Sequence, residues 1–365
     1  MKWKLMPSMK SGRYWFGATA IGGKIYVAGG YNDENLLSSA EVFDTKSNKW
    51  SPLQDMNEKR YGCAVTSYNG KLYTFGGYDG NSFLSSCEMF DIETKKWTVI
   101  PSMKEARSFC VASRNGEKLY IIGGRNEENL SSAEVYDTVT EKWTSLPDMT
   151  TKRLGCAAVS VKDKLYVFGG HDGNCYSSAE VYDITTKKWT QLPKMREKRL
   201  GCAATAVGNR IYIAGGYDGW NELMSCEVFD VSTNTWLYSI PDMEQLRNGC
   251  QAVTIGTNIY VIGGENSTSS TSSVEVFGLS MDLLYPIDEN YVPVEGGYRS
   301  PKLLENLCID QICRSLPELD GDFPPGIPQD VINAILKSLV SRGALNVATL
   351  KAMRHYETGQ LQQVE

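Results

Sequence analysis

The sequence predicts an all-β protein: a six-bladed β-propeller closed by its own N-terminal strand, with a small α-helical segment after it. Three observations predict this. Paired glycines recur at Gly29 and Gly30, Gly76 and Gly77, Gly123 and Gly124, Gly169 and Gly170, Gly215 and Gly216, and Gly263 and Gly264. Tryptophans keep the same rhythm of 46 to 48 residues, at Trp3, Trp50, Trp97, Trp143, Trp189 and Trp236. The two series are out of phase at the ends: the first tryptophan precedes the first glycine pair, and none follows the sixth.

Each unit supplies four short strands, here called a to d. In the fourth unit LGCAAVSV (154–161) is an apolar strand a, and KLYVFGG (164–170) is strand b, ending on glycines. SAEVYD (178–183) is strand c, and KWTQL (188–192) is strand d. HDGNCY between b and c carries Asp-Gly turn chemistry. Such sheets bury both faces only by stacking on other copies, and six packed radially make a propeller. Paired glycines suit a strand end where other backbone comes close or φ is positive. The sixth unit has strands a (248–255), b (258–264) and c (272–277) but lacks strand d. KWKL (2–5) is the unpaired tryptophan strand, so it is expected to complete blade six and remove an open edge. Arg13, Arg60, Arg107, Arg153, Arg199 and Arg247 recur once per unit, as do Glu41, Glu88, Glu134, Glu180, Glu227 and Glu275. Strict repetition in every blade favours a structural charge pair over a ligand ring.

The chain has 365 residues and a net charge of −6 without any run of lysine or arginine, which disfavours nucleic acid and acidic membranes as partners. No basic head followed by an apolar run marks a signal peptide, and no stretch suits a membrane span. The expected setting is the cytoplasm, with the nucleus also open. Cys63, Cys110, Cys156, Cys202 and Cys250 occupy one repeat position, where the first unit has Phe16. Cysteine that exchanges with phenylalanine is a buried free thiol rather than a disulfide or metal ligand. No metal or cofactor is expected, because no CxxC occurs and His171 and His355 are the only histidines. No nucleophile elbow or P-loop appears, so no catalytic residue is assigned and the protein is not read as an enzyme.

The glycine pair after an apolar strand, a tyrosine three residues before it, the spaced tryptophan and the M-x-x-x-R approach together resemble the kelch repeat. The variant is similar to the kelch-like substrate adaptors, over residues 1–277 and six times. Those adaptors usually carry a BTB domain before the propeller, and this sequence is read as having none. Galactose oxidase shows that some kelch propellers are enzymes, but its copper chemistry needs a histidine cluster. In similar adaptors the residue after the glycine pair and the one five further on often touch the bound peptide. Here these are Tyr31 and Leu36, Tyr78 and Phe83, Arg125 and Leu130. In the remaining blades they are His171 and Tyr176, Tyr217 and Glu222, Glu265 and Ser270. The second residue after each repeat arginine shares that rim and is aromatic twice, Trp15 and Phe109; Trp220 is an extra loop aromatic. Aromatic side chains beside Arg125 and His171 are the makings of an interface hot spot for a protein or peptide substrate. Polarity stays open: Arg125 and His171 suit a carboxylate, whereas Glu34, Glu127, Glu128 and Glu222 suit a basic segment.

After Phe277 the repeat stops, and 278–299 read as a linker. Ser300 and Pro301 signal a helix start, and Leu304, Cys308 and Ile312 then form one apolar stripe. Pro328 opens a second helix, and residues 300–359 are expected to be a small helical box followed by a disordered tail, 360–365. The spacing of Leu304, Cys308 and Ile312 resembles the elongin C-binding box of von Hippel–Lindau-type substrate receptors, except that Leu303 stands where Ser, Thr or Pro usually does. Downstream, Ile327, Pro328, Val331 and Ile335 resemble a cullin box and also the start of an F-box. The resemblance implies elongin C and a cullin as partners and a substrate receptor of a cullin–RING ubiquitin ligase. The alternatives are a kelch scaffold with a structural helical appendage and an F-box-like adaptor.

Overall fold

Glycine and Asx turns cut the chain into strands of three to five residues, each flanked by segments that cannot continue a ladder. A computed structural model describes residues 2–237 and 240–279. Met1–Ser280 form one compact unit, built from six four-stranded antiparallel sheets. The linker beyond Leu279, the helical box with Leu304, Cys308, Ile312, Ile327, Pro328, Val331 and Ile335, and the tail lie outside the described residues.

Blade four shows the unit: Ala157–Val161, Lys164–Phe168, Ala179–Asp183 and Lys188–Leu192 are its strands a to d. Strand a therefore starts three residues later than the apolar run suggests, and strand b stops before the glycines. Strands b carry continuous apolar runs because neighbouring blades cover both of their faces. The core consequently lies between blades. Tyr120 and Ile122 of blade three, for example, pack with Leu165 and Val167 of blade four. Strands d are the least buried and face outward.

The glycine pairs are joints between blades. The second glycine of each pair has φ between 92 and 104°, a region closed to other residues. Its N–H donates to the carbonyl of the next blade's repeat arginine, as Gly170 does to Arg199 at 2.8 Å. A Cβ on Gly169 would run into that same carbonyl. The arginine side chain turns the other way, into its own blade. Arg153 Nη1 donates to Gly169 O at 2.6 Å and Nη2 to Glu180 Oε1 at 3.0 Å. All six repeat arginines are fully buried, and each pairs with the glutamate of its own strand c. The Glu180 carboxylate also accepts from Thr150 N at 2.8 Å. Buried charges of this kind are tolerated only when paired and hydrogen-bonded.

The N-terminal strand closes the ring. Lys4–Met6 pairs antiparallel with Val274–Gly278, matching Lys4 to Val276 and Met6 to Val274. In five blades the strand-d tryptophan donates its indole N–H to a carbonyl 42 or 43 residues earlier, such as Trp189 to Pro147. Trp3 makes the sixth such bond, to Pro241 O, across 238 residues.

Candidate protein-binding face

The b–c loops and d–a crossovers share one face of the ring. At each blade's rim the residue after the glycine pair bridges the residue after the repeat arginine, as in Tyr31 with Tyr14 and Tyr78 with Tyr61. It also bridges back into its own loop. The return partner is five residues on in four blades: Leu36, Phe83, Glu222 and Ser270. In blades three and four it is only four residues on, Asn129 and Cys175. This corrects the sequence register. Leu130 and Tyr176 instead take the slot of Leu37, Leu84 and Leu223, whose N–H bonds back to the second glycine. Leu130 is buried, and the Tyr176 ring lies 5.5 Å from the Arg153 guanidinium, over the buried charge pair.

Around the axis the second residues after the arginines form a closed backbone ring. Gly62 donates to Trp15, Phe109 to Gly62, and Gly155 to Phe109. Gly201 then donates to Gly155, Gly249 to Gly201, and Trp15 to Gly249, at 2.7–2.9 Å throughout. Every member has a left-handed φ, including Trp15 at 50° and Phe109 at 55°. For a residue with a side chain this conformation costs about 1–2 kcal/mol. The two aromatics hold glycine positions, so their strain has to be offset by what their rings do.

Trp15 reaches across the mouth of the axial channel: a Cβ on Gly155 or Gly201 would strike its indole. Its ring packs edge-on against Phe109 at 5.0 Å, and Phe109 against Tyr61 at 5.1 Å. Tyr61, Tyr14 and Tyr31 complete the group at 5.7–6.0 Å from one another. Of these, Tyr14 and Tyr61 were not singled out from the sequence, although they sit beside the repeat arginines at the same phase. Burial first, then the charges of Glu265 and Asp33, pushes the Tyr14 phenol up to about 12. Burial also raises Tyr61, so both phenols remain donors at neutral pH.

Beyond this strip, Tyr78, Phe83 and Arg125 line a cleft of about 540 Å³ between blades two and three. Tyr78 packs on Phe83 at 5.4 Å, and the Arg125 guanidinium stands 5.8 Å from the Phe83 ring, a cation–π arrangement. The structure thus brings Trp15, Tyr31 and Phe109 into one group and Tyr78, Phe83 and Arg125 into another. His171, Tyr176 and Tyr217 lie apart in blades four and five, and Trp220 projects from a loop tip, 86% exposed. Among the described residues no group of His, Cys, Asp or Glu is arranged to hold a metal, and no helix is long and apolar enough to cross a membrane. All eight described cysteines are buried free thiols.

A propeller whose blades repeat in the core and differ along one aromatic face belongs to the class of protein-interaction propellers. The chain is a member of the kelch-repeat family: the KLHDC2/KLHL20/DRC7 Kelch-repeats domain matches residues 1–153 and 147–282. Kelch-like protein 41a of Danio rerio is 50% identical over 48 residues, 13% of this chain and 8% of that protein. Kelch-like protein 40 of Xenopus laevis is 46% identical over 48 residues, again 13% of this chain and 8% of that protein. The chain thus matches less than a tenth of the length of these curated relatives. The solved structure of YjhT agrees in fold, with a TM-score of 0.65 at 16% identity, over 74% of this chain and 96% of that one.

Proposed function

We propose that this protein is a substrate receptor of a cullin–RING ubiquitin ligase, with the aromatic face binding a peptide-like segment of the substrate and the C-terminal residues binding the adaptor. For the face, the supporting observation is the unrepeated strip from Tyr31 through Trp15 to Phe109, continued by the Tyr78, Phe83 and Arg125 cleft. Desolvated aromatics with arginine at their edge are what a peptide hot spot requires. For the ligase role, the support is sequence alone: Leu304, Cys308 and Ile312 precede Ile327, Pro328, Val331 and Ile335 in the order of an elongin C box and a cullin box. Anchors at such spacing suit helix-in-groove recognition. A propeller used this way works in the cytoplasm or nucleus.

Affinity purification of the full chain with mass spectrometry tests the proposal. Elongin C and a cullin co-purify with the wild type. The double variant Leu304→Asp, Cys308→Asp loses both while the propeller melts as before, since carboxylates in an apolar groove cost several kcal/mol. Absence of both from the wild-type preparation favours the scaffold reading. A Skp-type adaptor in their place, sensitive to Pro328, Val331 and Ile335, favours the F-box reading.

A further inference from the structure

We propose that the rim of blades five, six and one holds a subsite for a cationic side chain, lysine or arginine, of the bound segment, with Glu265 and Asn248 as its acceptors. The inference rests on the reading of this face as a peptide-binding surface, and it assigns that peptide's polarity.

Glu265 is the residue after the glycine pair of blade six, and its backbone bridges Asn248 and Ser270. Its carboxylate accepts from Asn248 Nδ2 at 2.8 Å. That bond fixes which way the amide points, because the opposite orientation would set two oxygens together. Asn248 Oδ1 is therefore turned toward the axial mouth, into the space a side chain on Gly201 would fill. Asn248 is only 9% exposed, yet this oxygen has no hydrogen-bond partner. A buried acceptor left unpaired asks for a donor.

The surroundings supply charge of one sign. Glu222 accepts from Ser267 Oγ at 2.9 Å, and Asp33 accepts from Ser270 N and Oγ at 2.8 and 2.7 Å. Among the described residues no cationic side chain pairs with Asp33, Glu222 or Glu265. Elsewhere on the face four acids are paired, Glu58 with Arg60, Glu105 with Arg107, Glu197 with Arg199 and Glu128 with Lys152, while the loop acids Asp79 and Asp218 are taken up by backbone N–H groups of their own turns. Blade six has Gln245 in the slot of Glu58, Glu105 and Glu197. Burial first, and the charges of Glu222 and Asp33, hold the Glu265 carboxyl above its ordinary range, while the Asn248 bond opposes them. An incoming cation relieves that repulsion. Lysine and arginine carry donors only, which matches the Glu265 carboxylate and the unpaired Asn248 oxygen.

The test begins with selection of a displayed random-peptide library on the immobilised full chain. Selected peptides share a lysine or arginine at a fixed position. A synthetic copy of one is then titrated, with that residue intact and replaced by norleucine, against wild type and Glu265→Gln. Replacement weakens binding to wild type about tenfold or more, and less than about threefold to Glu265→Gln, as expected for a direct charge contact. Parallel lysine and arginine versions show which cation is preferred. If Glu265→Gln does not fold, Glu222→Gln with Asp33→Asn carries the same cycle. Peptides without a shared cation, or equal losses in both proteins, overturn the inference. If binding is then still abolished by Tyr78→Ala, the peptide-binding reading stands without it. If no peptide is selected, both fall.

Discussion

Replacing Trp3 with alanine tests ring closure. The side chain is 1% exposed, packs on Phe277 at a ring separation of 5.2 Å and donates to Pro241 O. A buried tryptophan removes about 150–250 Å² from water. At about 25 cal/mol per Å² that is about 4–6 kcal/mol, an upper value because unfolded chains are not fully extended. Truncation of such side chains costs about 3–5 kcal/mol. For a domain of this size each kcal/mol lowers the melting temperature by about 2–4 °C, so Trp3→Ala should melt about 6–20 °C lower. Trp143→Ala is the control, since Trp143 is only half-buried although it makes the equivalent bond to Pro101 O. Circular dichroism melts of the two full-length variants beside the wild type decide the matter. Deleting residues 1–6 should also expose the edge of Val274–Gly278 and produce dimers or larger species on a sizing column. A Trp3→Ala protein melting within about 2 °C of wild type, while Trp143→Ala falls further, would refute closure by this strand.

Arg153→Met strands the fully buried Glu180 and should cost about 3–5 kcal/mol in urea unfolding; a loss below about 1 kcal/mol would mean the pair is not holding the blade. Tyr78→Ala and Arg125→Ala should each weaken a selected peptide by about 1–2 kcal/mol or more with melting unchanged, read by titration. Tyr176→Ala should instead lower the melting temperature, because its ring covers Arg153. With Ellman's reagent at pH 8 the eight described thiols should stay unreactive in the native chain, and all ten should react after denaturation. Burial raises Cys87, Cys110 and Cys202 to about 12, so native thiols keep their protons where unfolded ones lose them. Stability from these groups is complete below about pH 8.5 and is lost as pH rises toward the folded values, by up to about 1.4 kcal/mol per thiol per pH unit. Melts between pH 8 and 11 should show that fall, and a flat profile would contradict it.

The architecture was legible because every blade meets the same packing problem. Glycine pairs, tryptophans and buried Arg–Glu pairs have to recur, and their phase exposes the closure by residues at the N-terminus. The face was less legible because it is where repetition ends. Counting forward from the glycine pairs misplaced Tyr176, since the loops of blades three and four are one residue shorter. Counting back from strand c would have aligned it with Leu84 and Leu223. Tyr14 and Tyr61 leave no signal in the sequence, because the slot after the repeat arginine also holds Ser108, Leu154, Leu200 and Asn248. Asn248 and its unpaired oxygen depend on which way an amide turns, which no spacing encodes.

Strand c of blade six lies between strand b and the N-terminal strand, and so is gripped on both sides. Its last residue is Gly278, and the next, Leu279, is still buried and donates its N–H to Thr257 O at 3.0 Å. A pull along the strand from there loads two ladders in shear, all their bonds sharing the force, and neither can be peeled one bond at a time. Whatever the following residues attach to, a tug from it meets a strand held along both edges, and the grip fails only when the N-terminal strand lets go as well.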